Sequence, residues 1–188
     1  MSIIIFLILG IVIFIITTGL YSAITTSPFS PSNKEVIETA LNLAELKKDE
    51  VLYDLGCGNG TVLIIGAKKF QAKTVGYELS FLRYLISKIN ILINGCQKNA
   101  KVYLGDLYQA NLNQADVIYL WLTPKAFPRL EEKFNKELKT GSRVIAYSSP
   151  LKFWQPDKIL NIPSSPNKFF SLIPSVDGGQ LFLYIKKK

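Results

Sequence analysis

Apolar and polar positions change period several times along the chain, and this pattern predicts strands separated by helices. Runs suited to buried strands lie at residues 50–55, 73–77, 100–104, 116–122 and 143–147. Helical periodicity fills the intervals, at residues 32–44, 59–69, 81–93 and 123–138. Two closing strands are predicted at residues 168–173 and 180–186. Strands that alternate with helices predict an α/β fold with a doubly wound, Rossmann-like, mostly parallel sheet.

The first 24 residues have a different pattern, because almost every position from residue 2 to residue 24 is apolar and no charged residue precedes Lys34. About twenty such residues span the hydrocarbon core of a bilayer, roughly 30 Å. The pattern predicts a transmembrane anchor at residues 1–24, a linker at residues 25–31 and a globular domain at residues 32–188. Lysines follow the span and none precede it, so we expect a single-pass membrane protein with a cytoplasmic domain. A cleaved signal peptide and a buried core helix are the alternatives.

The amino-acid composition limits the kinds of catalytic and metal sites that the chain can form. The chain has 22 Lys and Arg against 14 Asp and Glu, two cysteines without metal or redox spacing, and no histidine. These counts argue against a zinc site and a histidine-based triad, and we expect no metal. The net charge of +8 suits an anionic membrane surface or a nucleic acid equally well.

The most informative segment closes the first predicted strand and reads Asp-Leu-Gly-Cys-Gly-Asn-Gly at residues 54–60. A loop that leaves a parallel strand has to turn sharply and let a bulky cofactor approach bare backbone, and glycine allows both. An acidic residue two positions before three alternating glycines is typical of the first loop of an S-adenosylmethionine (SAM) methyltransferase. The candidate cofactor contacts here are Asp54, Gly56, Cys57, Gly58 and Gly60.

Two further acids follow the next two strands. Glu78, with Leu79 beside it, ends the second strand, where a carboxylate can accept hydrogen bonds from ribose hydroxyls. Asp106 follows the third strand and can take an adenine amino group, while Leu107 packs on the ring. A dinucleotide-binding loop is the competing interpretation, but it has the pattern G-x-G-x-x-G, and here the third glycine comes one residue earlier. The ordered signals favour SAM as the cofactor.

The segment after the fourth strand is expected to face the methyl acceptor. Trp121 can form an aromatic wall for a lysine stem and its cation, and Thr123 lies beside it. Tyr147, at the end of the fifth strand, is a second wall candidate. The segment lacks the Asn/Asp-Pro-Pro-aromatic signature of enzymes that methylate bases or glutamine amides. No general base is assigned, and the absence of histidine is compatible with a lysine acceptor that loses its proton in a dry pocket.

Beyond the glycine loop, the chain resembles the membrane-anchored protein-lysine methyltransferases of the ATP synthase c-subunit and adenine nucleotide translocase type, and their prokaryotic relatives. The resemblance runs from about residue 28 to residue 159 and rests on the segments at residues 28–31, 54–60, 75–79, 105–107, 130–138, 143–146 and 154–156. It implies SAM contacts at Asp54, Gly56, Gly58, Glu78 and Asp106, with lysine as the acceptor.

We therefore expect a SAM-dependent protein-lysine N-methyltransferase, tethered to a membrane and acting on membrane-associated proteins. Two alternatives remain open at this point. One is an RNA or small-molecule methyltransferase, although no RNA-binding module is visible and nucleic acid is not the expected partner. The other is a SAM-binding membrane protein without catalytic activity. The degree of methylation and the oligomeric state do not follow from the sequence.

Overall fold

Seven strands and five α-helices make up the part of the chain that the structure, a computed structural model, describes: residues 2–25, 33–163 and 179–188. The helices are α1 (Ser2–Thr25), α2 (Lys34–Leu43), α3 (Thr61–Lys69), α4 (Phe81–Ile93) and α5 (Phe127–Glu137). The strands are β1 (Val51–Leu55), β2 (Lys73–Glu78), β3 (Ala100–Leu104), β4 (Val117–Leu120), β5 (Arg143–Tyr147), β6 (Lys158–Ile162) and β7 (Gly179–Ile185). Short 3₁₀ turns lie at Leu107–Gln109 and Pro124–Ala126.

The strands form one sheet in the order β3-β2-β1-β4-β5-β7-β6. β1 to β5 are parallel, and β7 runs antiparallel to both β5 and β6. The order reverses at β1, which pairs with β2 on one side and β4 on the other. In such sheets ligands bind outside the carboxyl ends of the strands at this reversal. The predicted α/β class with a mostly parallel sheet is therefore confirmed.

The core has two layers, one on each face of the sheet. Val117 and Tyr119 of β4 pack with α2 on one face, and Ile118 and Leu120 pack with α5 on the other. All four side chains are buried, because a central parallel strand is covered on both faces. The sheet is therefore held rigidly at its centre, where the strand order reverses.

The N-terminal apolar run forms α1, which packs against α4 through the edge-to-face rings of Phe14 and Phe81, with centroids 5.7 Å apart. Side chains of α1 are described for residues 4–10 and 12–19. Over the described residues, no helix combines the length and the apolar character that crossing a membrane requires. The prediction of an N-terminal transmembrane helix, and with it a single-pass membrane protein, is corrected by this finding.

Several boundaries differ from the predicted ones. The N-cap of α2 is Asn33, whose side chain accepts a hydrogen bond from the Glu35 N–H at 2.9 Å. β6 lies where no strand was predicted, and it forms by pairing with β7. The predicted strand at residues 168–173 lies outside the described residues, and so does the predicted linker apart from residue 25. The predicted domain division at residues 24 and 31 therefore stays a prediction.

Candidate active site

The loop that joins β1 to α3 has a backbone that side chains disfavour. Gly56, Gly58 and Gly60 have φ values of +93°, +55° and +81°, all in the left-handed region where an L-residue with a β-carbon is strained. Three glycines at alternate positions thus let the chain reverse immediately after the buried strand and leave backbone bare at the carboxyl edge of the sheet.

β2 holds this loop in place. The N–H groups of Gly56 and Cys57 both donate to the carbonyl oxygen of Tyr77, at 2.9 and 3.0 Å. The Gly58 N–H donates to Glu78 Oε2 at 2.8 Å, and the other oxygen of Glu78 accepts the Ser80 N–H at 2.8 Å. Glu78 therefore orders the glycine loop and the start of α4. Each carboxylate oxygen has more than one lone pair, so both remain able to accept a further bond.

Helix α4 supports the loop from below, through residues that sequence reasoning missed. The Asn90 amide donates to the Asn59 carbonyl oxygen at 2.9 Å. A β-carbon placed at Gly60 would lie 2.4 Å from Ser87 Oγ, so a side chain there would force the serine hydroxyl to move, in addition to the strain of the backbone. The polar residues within the apolar sequence of α4 were the available signal.

The acids at the ends of β1 and β2 are both buried. Asp54 is buried, and burial, with a smaller contribution from the charge of Glu78, raises the pKa of Asp54 to about 8. Burial also raises the pKa of Glu78, against the opposing effect of N–H donors from Ser80, Gly58 and Leu79 and of the Arg83 charge. The pKa of the buried Cys57 thiol is raised well above its usual value by burial and by both acids. A cationic group placed beside these buried acids would restore the charged form of Asp54.

The third acid reaches the same edge from β3. The Gly105 N–H donates to the Glu78 carbonyl oxygen at 3.0 Å, which fixes the end of β3 beside the end of β2. Asp106 then caps the following 3₁₀ turn by accepting the Tyr108 N–H at 3.0 Å. Leu107 is buried beneath it. The structure thus brings Asp54, Glu78 and Asp106 to the ends of three adjacent strands, in the order the sequence predicted.

The predicted acceptor side also assembles at this edge. The rings of Trp121 and Tyr147, from the ends of β4 and β5, lie with centroids 5.2 Å apart at 57°. Trp121 is half-buried and Tyr147 is buried. Thr123 directly precedes the next 3₁₀ turn. Leu122 lies so close to the glycine loop that a β-carbon at Gly56 would be 3.0 Å from its Cδ2, so the two halves of the site are in contact.

A buried carboxylate holds the segment that follows β5. Glu131 of α5 is fully buried and accepts the N–H groups of Lys152, Phe153 and Trp154 at 2.6, 2.6 and 2.9 Å. Sequence reasoning did not assign this residue. The available signal was a glutamate on the inner face of an amphipathic helix, four residues after Phe127 and three before Phe134.

The residues at this edge of the sheet fit SAM. The bare backbone at the glycine loop can lie against a bulky ligand, and the remaining lone pairs of Glu78 and Asp106 can accept from hydroxyl and amino groups. A cationic group of the ligand beside the buried Asp54 would favour the charged form of its carboxyl group. SAM supplies a methyl group on a sulfonium centre. Individual contacts at the predicted residues stay predictions.

Comparisons with known proteins agree with this geometry. The family model of the ANTKMT methyltransferase domain matches residues 54–158, more than half of the chain. A protein-lysine N-methyltransferase of Saccharolobus islandicus is 31% identical over 72% of this chain and 84% of its own length. The human lysine N-methyltransferase of the ATP synthase c-subunit is 32% identical over 70% of this chain. The chain spans only 56% of that human relative.

A solved structure shows the same fold. The RNA methyltransferase of Salinibacter ruber, crystallised with S-adenosyl-L-homocysteine, superposes with a TM-score of 0.72 at 25% sequence identity. The superposition covers 83% of this chain and 93% of that one. The glycine loop, the three strand-end acids and these matches lead to one conclusion: the chain belongs to the ANTKMT methyltransferase domain family and is a methyltransferase that uses S-adenosylmethionine.

Proposed function

We propose that this protein transfers methyl groups from SAM to lysine side chains of protein substrates. The observation that carries the proposal is the similarity to the protein-lysine N-methyltransferase of Saccharolobus islandicus, which extends over 84% of that relative. The family model, which matches residues 54–158, includes the strand-end residues described above. Relatives named for the ATP synthase c-subunit and for the adenine nucleotide translocase are also lysine N-methyltransferases by name.

In this proposal one part of the carboxyl edge of the sheet binds the methyl donor and the other part binds the methyl acceptor. The donor side consists of Asp54, Glu78 and Asp106 with the glycine loop and the neighbouring Cys57, Leu79 and Leu107. Trp121 and Tyr147 line the acceptor side, with Thr123 next to them. Contact between Leu122 and Gly56 brings the two sides close enough for a direct transfer between bound reactants.

The chemistry asks little of acid–base residues. The lone pair of a neutral lysine amine forms the new C–N bond as the C–S bond of the donor breaks, and the donor leaves as a neutral thioether. The product ammonium then loses its extra proton to water before another transfer. What the protein has to supply is alignment, exclusion of water and a low amine pKa. The paired rings of Trp121 and Tyr147 supply an apolar wall that excludes water, and such an environment lowers the pKa of a lysine amine.

The test uses the full-length protein with methyl-labelled SAM and a total protein extract from cells that lack the gene. After acid hydrolysis, we expect the label in mono-, di- or trimethyl-lysine. A parallel reaction with total RNA from the same cells should stay unlabelled, as should reactions with Gly58→Val, which removes the bare backbone of the loop.

Label in RNA with none in lysine would overturn the proposal in favour of an RNA methyltransferase. Label in an amino acid other than lysine would support a protein methyltransferase but exclude lysine as the methyl acceptor. Equal labelling by Gly58→Val and the unaltered protein would show that the activity belongs to a contaminant. The three outcomes are separated by the same hydrolysis and chromatography.

A further inference from the structure

Strand β3 lies at one end of the sheet, and no strand in the described part of the chain pairs with its outer edge. The Asn99 carbonyl and the Gly105 N–H both bond to β2, so the odd-numbered positions point their backbone groups inward. By the period of two along a strand, Val102 and Leu104 direct their N–H and C=O groups outward. Free backbone donors and acceptors of this kind are a template for another strand.

A groove of about 570 Å³ borders this edge on the α4 side. Leu85, Ile89 and Leu92 of α4 face Val102 across it, and the three leucine and isoleucine side chains are 37% to 61% exposed. The surface of the groove is almost entirely apolar, although Lys88 and Lys101 are among the residues that line it. A side chain that enters here would have to be apolar to gain free energy.

A second groove, of about 700 Å³, lies on the opposite face of the same strands. Its floor carries Tyr77 and Tyr103, whose rings are 5.4 Å apart. Lys73, Lys98 and Lys101 line it together with several amides, and none of the described residues that line it carries a carboxylate. The groove is therefore positive and rich in hydrogen-bond donors, which suits acidic or polar side chains.

The second groove exists because β3 and β4 are joined by a short connection. Residues 105–116 contain one 3₁₀ turn, Leu107–Gln109, and no α-helix. In a doubly wound sheet a helix normally covers this face. Here Tyr103 stays 46% exposed, and the two grooves meet along the edge of β3, on opposite faces of the strand.

We propose that the outer edge of β3 binds an extended segment of the protein substrate as an eighth strand, with alternate side chains in the two grooves. Apolar side chains enter on the α4 side, and acidic or polar side chains enter on the tyrosine side. This inference rests on the proposed function, since it assigns the recognition of the protein substrate to a surface away from the methyl acceptor. Main-chain hydrogen bonds supply affinity and the two grooves supply sequence preference.

The difference between the two grooves favours an extended peptide, whose side chains alternate between two faces. A strand presents successive side chains to opposite faces, and the two faces of β3 differ in chemistry, apolar on one and cationic on the other. A single-stranded nucleic acid would use the tyrosines and lysines but leave the apolar groove and the free backbone edge without a partner. A second copy of the chain that pairs β3 with β3 would bring the lysines of both copies together.

The test measures binding by fluorescence anisotropy, with full-length protein saturated with S-adenosylhomocysteine. The probe is a fluorescein-labelled twelve-residue peptide in which Val and Leu alternate with Asp and Glu. We expect it to bind at least about tenfold more tightly than a scrambled peptide of the same composition. The peptide contains no lysine, so its binding tests this inference alone, while the labelling of lysine in the extract tests the proposed function.

Matched variants locate the binding site. The double variant Lys73→Glu/Lys101→Glu should lose the acidic peptide and prefer an alternating Val-Lys peptide, whereas Lys136→Glu, an exposed lysine outside both grooves, should bind like the unaltered protein. Val102→Pro removes an outward N–H and should weaken both peptides, with folding checked by its thermal transition. If Val102→Pro is misfolded, the comparison of Lys73→Glu/Lys101→Glu with Lys136→Glu tests the inference.

Equal affinity for alternating and scrambled peptides would overturn the inference. So would equal losses in Lys136→Glu and in the double variant. Displacement of the peptide by a twelve-nucleotide oligouridine would reassign the surface to nucleic acid, and a dimer in solution that Lys73→Glu/Lys101→Glu abolishes would reassign it to a second copy. Lysine methylation of unstructured proteins without any preference would sustain the proposed function and remove the docking edge.

Discussion

Ser87 lies directly beneath the backbone of Gly60, so close that a β-carbon on the glycine would be 2.4 Å from the serine Oγ. Gly60 also has a φ of +81°. Gly60→Ala should therefore lower the free energy of unfolding by about 2 kcal/mol or more, from the left-handed backbone and from the clash. Chemical denaturation measures the change.

Ser87→Ala separates the two causes, because it removes Oγ and leaves the backbone strain. In the double variant we expect about 1 kcal/mol of the loss at Gly60 to be recovered, as a coupling free energy in a double-mutant cycle. Strict additivity of the two single changes would contradict the packing explanation and leave only backbone strain.

Glu131 is expected to be the most sensitive acid in the fold. Its carboxylate is fully buried and accepts three backbone N–H groups at 2.6 to 2.9 Å. Glu131→Gln places an NH₂ group where an acceptor is needed, so unfolding free energy should fall by about 2–4 kcal/mol. The exposed neighbour Glu132 is the control, and Glu132→Gln should change stability by less than about 0.5 kcal/mol.

Asp54 should give the free protein a distinct pH dependence. Its pKa in the folded state is about 8, raised from 3.8 by burial and then by Glu78, so folding takes up a proton between those two pH values. The contribution of Asp54 to stability is therefore complete below about pH 4 and is lost as the pH rises to about 8. Asp54→Asn removes this dependence.

Thermal denaturation of both proteins from pH 4 to pH 9 measures the effect. Relative to the unaltered protein, Asp54→Asn should become progressively more stable as the pH rises, because the asparagine never has to ionise in the buried site. A constant difference across the range would show that Asp54 keeps an ordinary pKa in the fold.

Trp121 should affect the acceptor rather than the donor. Its ring packs with Tyr147, so Trp121→Ala would open the proposed wall for a lysine side chain and lower kcat/KM by about tenfold or more. Trp121→Phe retains a ring and should lose less. Isothermal titration with S-adenosylhomocysteine should give the same affinity for all three proteins, and a large loss of that affinity in Trp121→Ala would place the residue on the donor side.

The elements predicted with correct bounds are those with strong local signals. β3, α4 and β5 begin and end where the sequence predicted. α4 is an example, since Ser80 precedes it and Asn94 and Gly95 terminate it, and such caps are local chemistry. The glycine loop belongs to the same class, because its backbone shape depends on its own residues.

What could not be predicted depends on contacts between distant residues. The sequence of β6, Lys-Ile-Leu-Asn-Ile, does not alternate between apolar and polar residues, and most of its side chains are exposed in the fold. It is a strand because it pairs with β7. The bond from Gly58 to Glu78 joins residues 20 positions apart, and Glu131 reaches across 21 positions to Lys152. Residue type suggested a ligand contact for Glu78, whereas its role in ordering the loop required the fold.

The position of β7 between β5 and β6 also constrains how the molecule folds. β6 precedes β7 in the chain, but in the sheet β7 lies between β5 and β6. β7 pairs with β5 from Arg143 opposite Ile185 to Tyr147 opposite Leu181. This half of the sheet therefore cannot grow strand by strand in chain order. β6 joins the sheet only through β7, so this half of the sheet is completed by contacts between segments that are far apart in the chain, and such contacts slow folding.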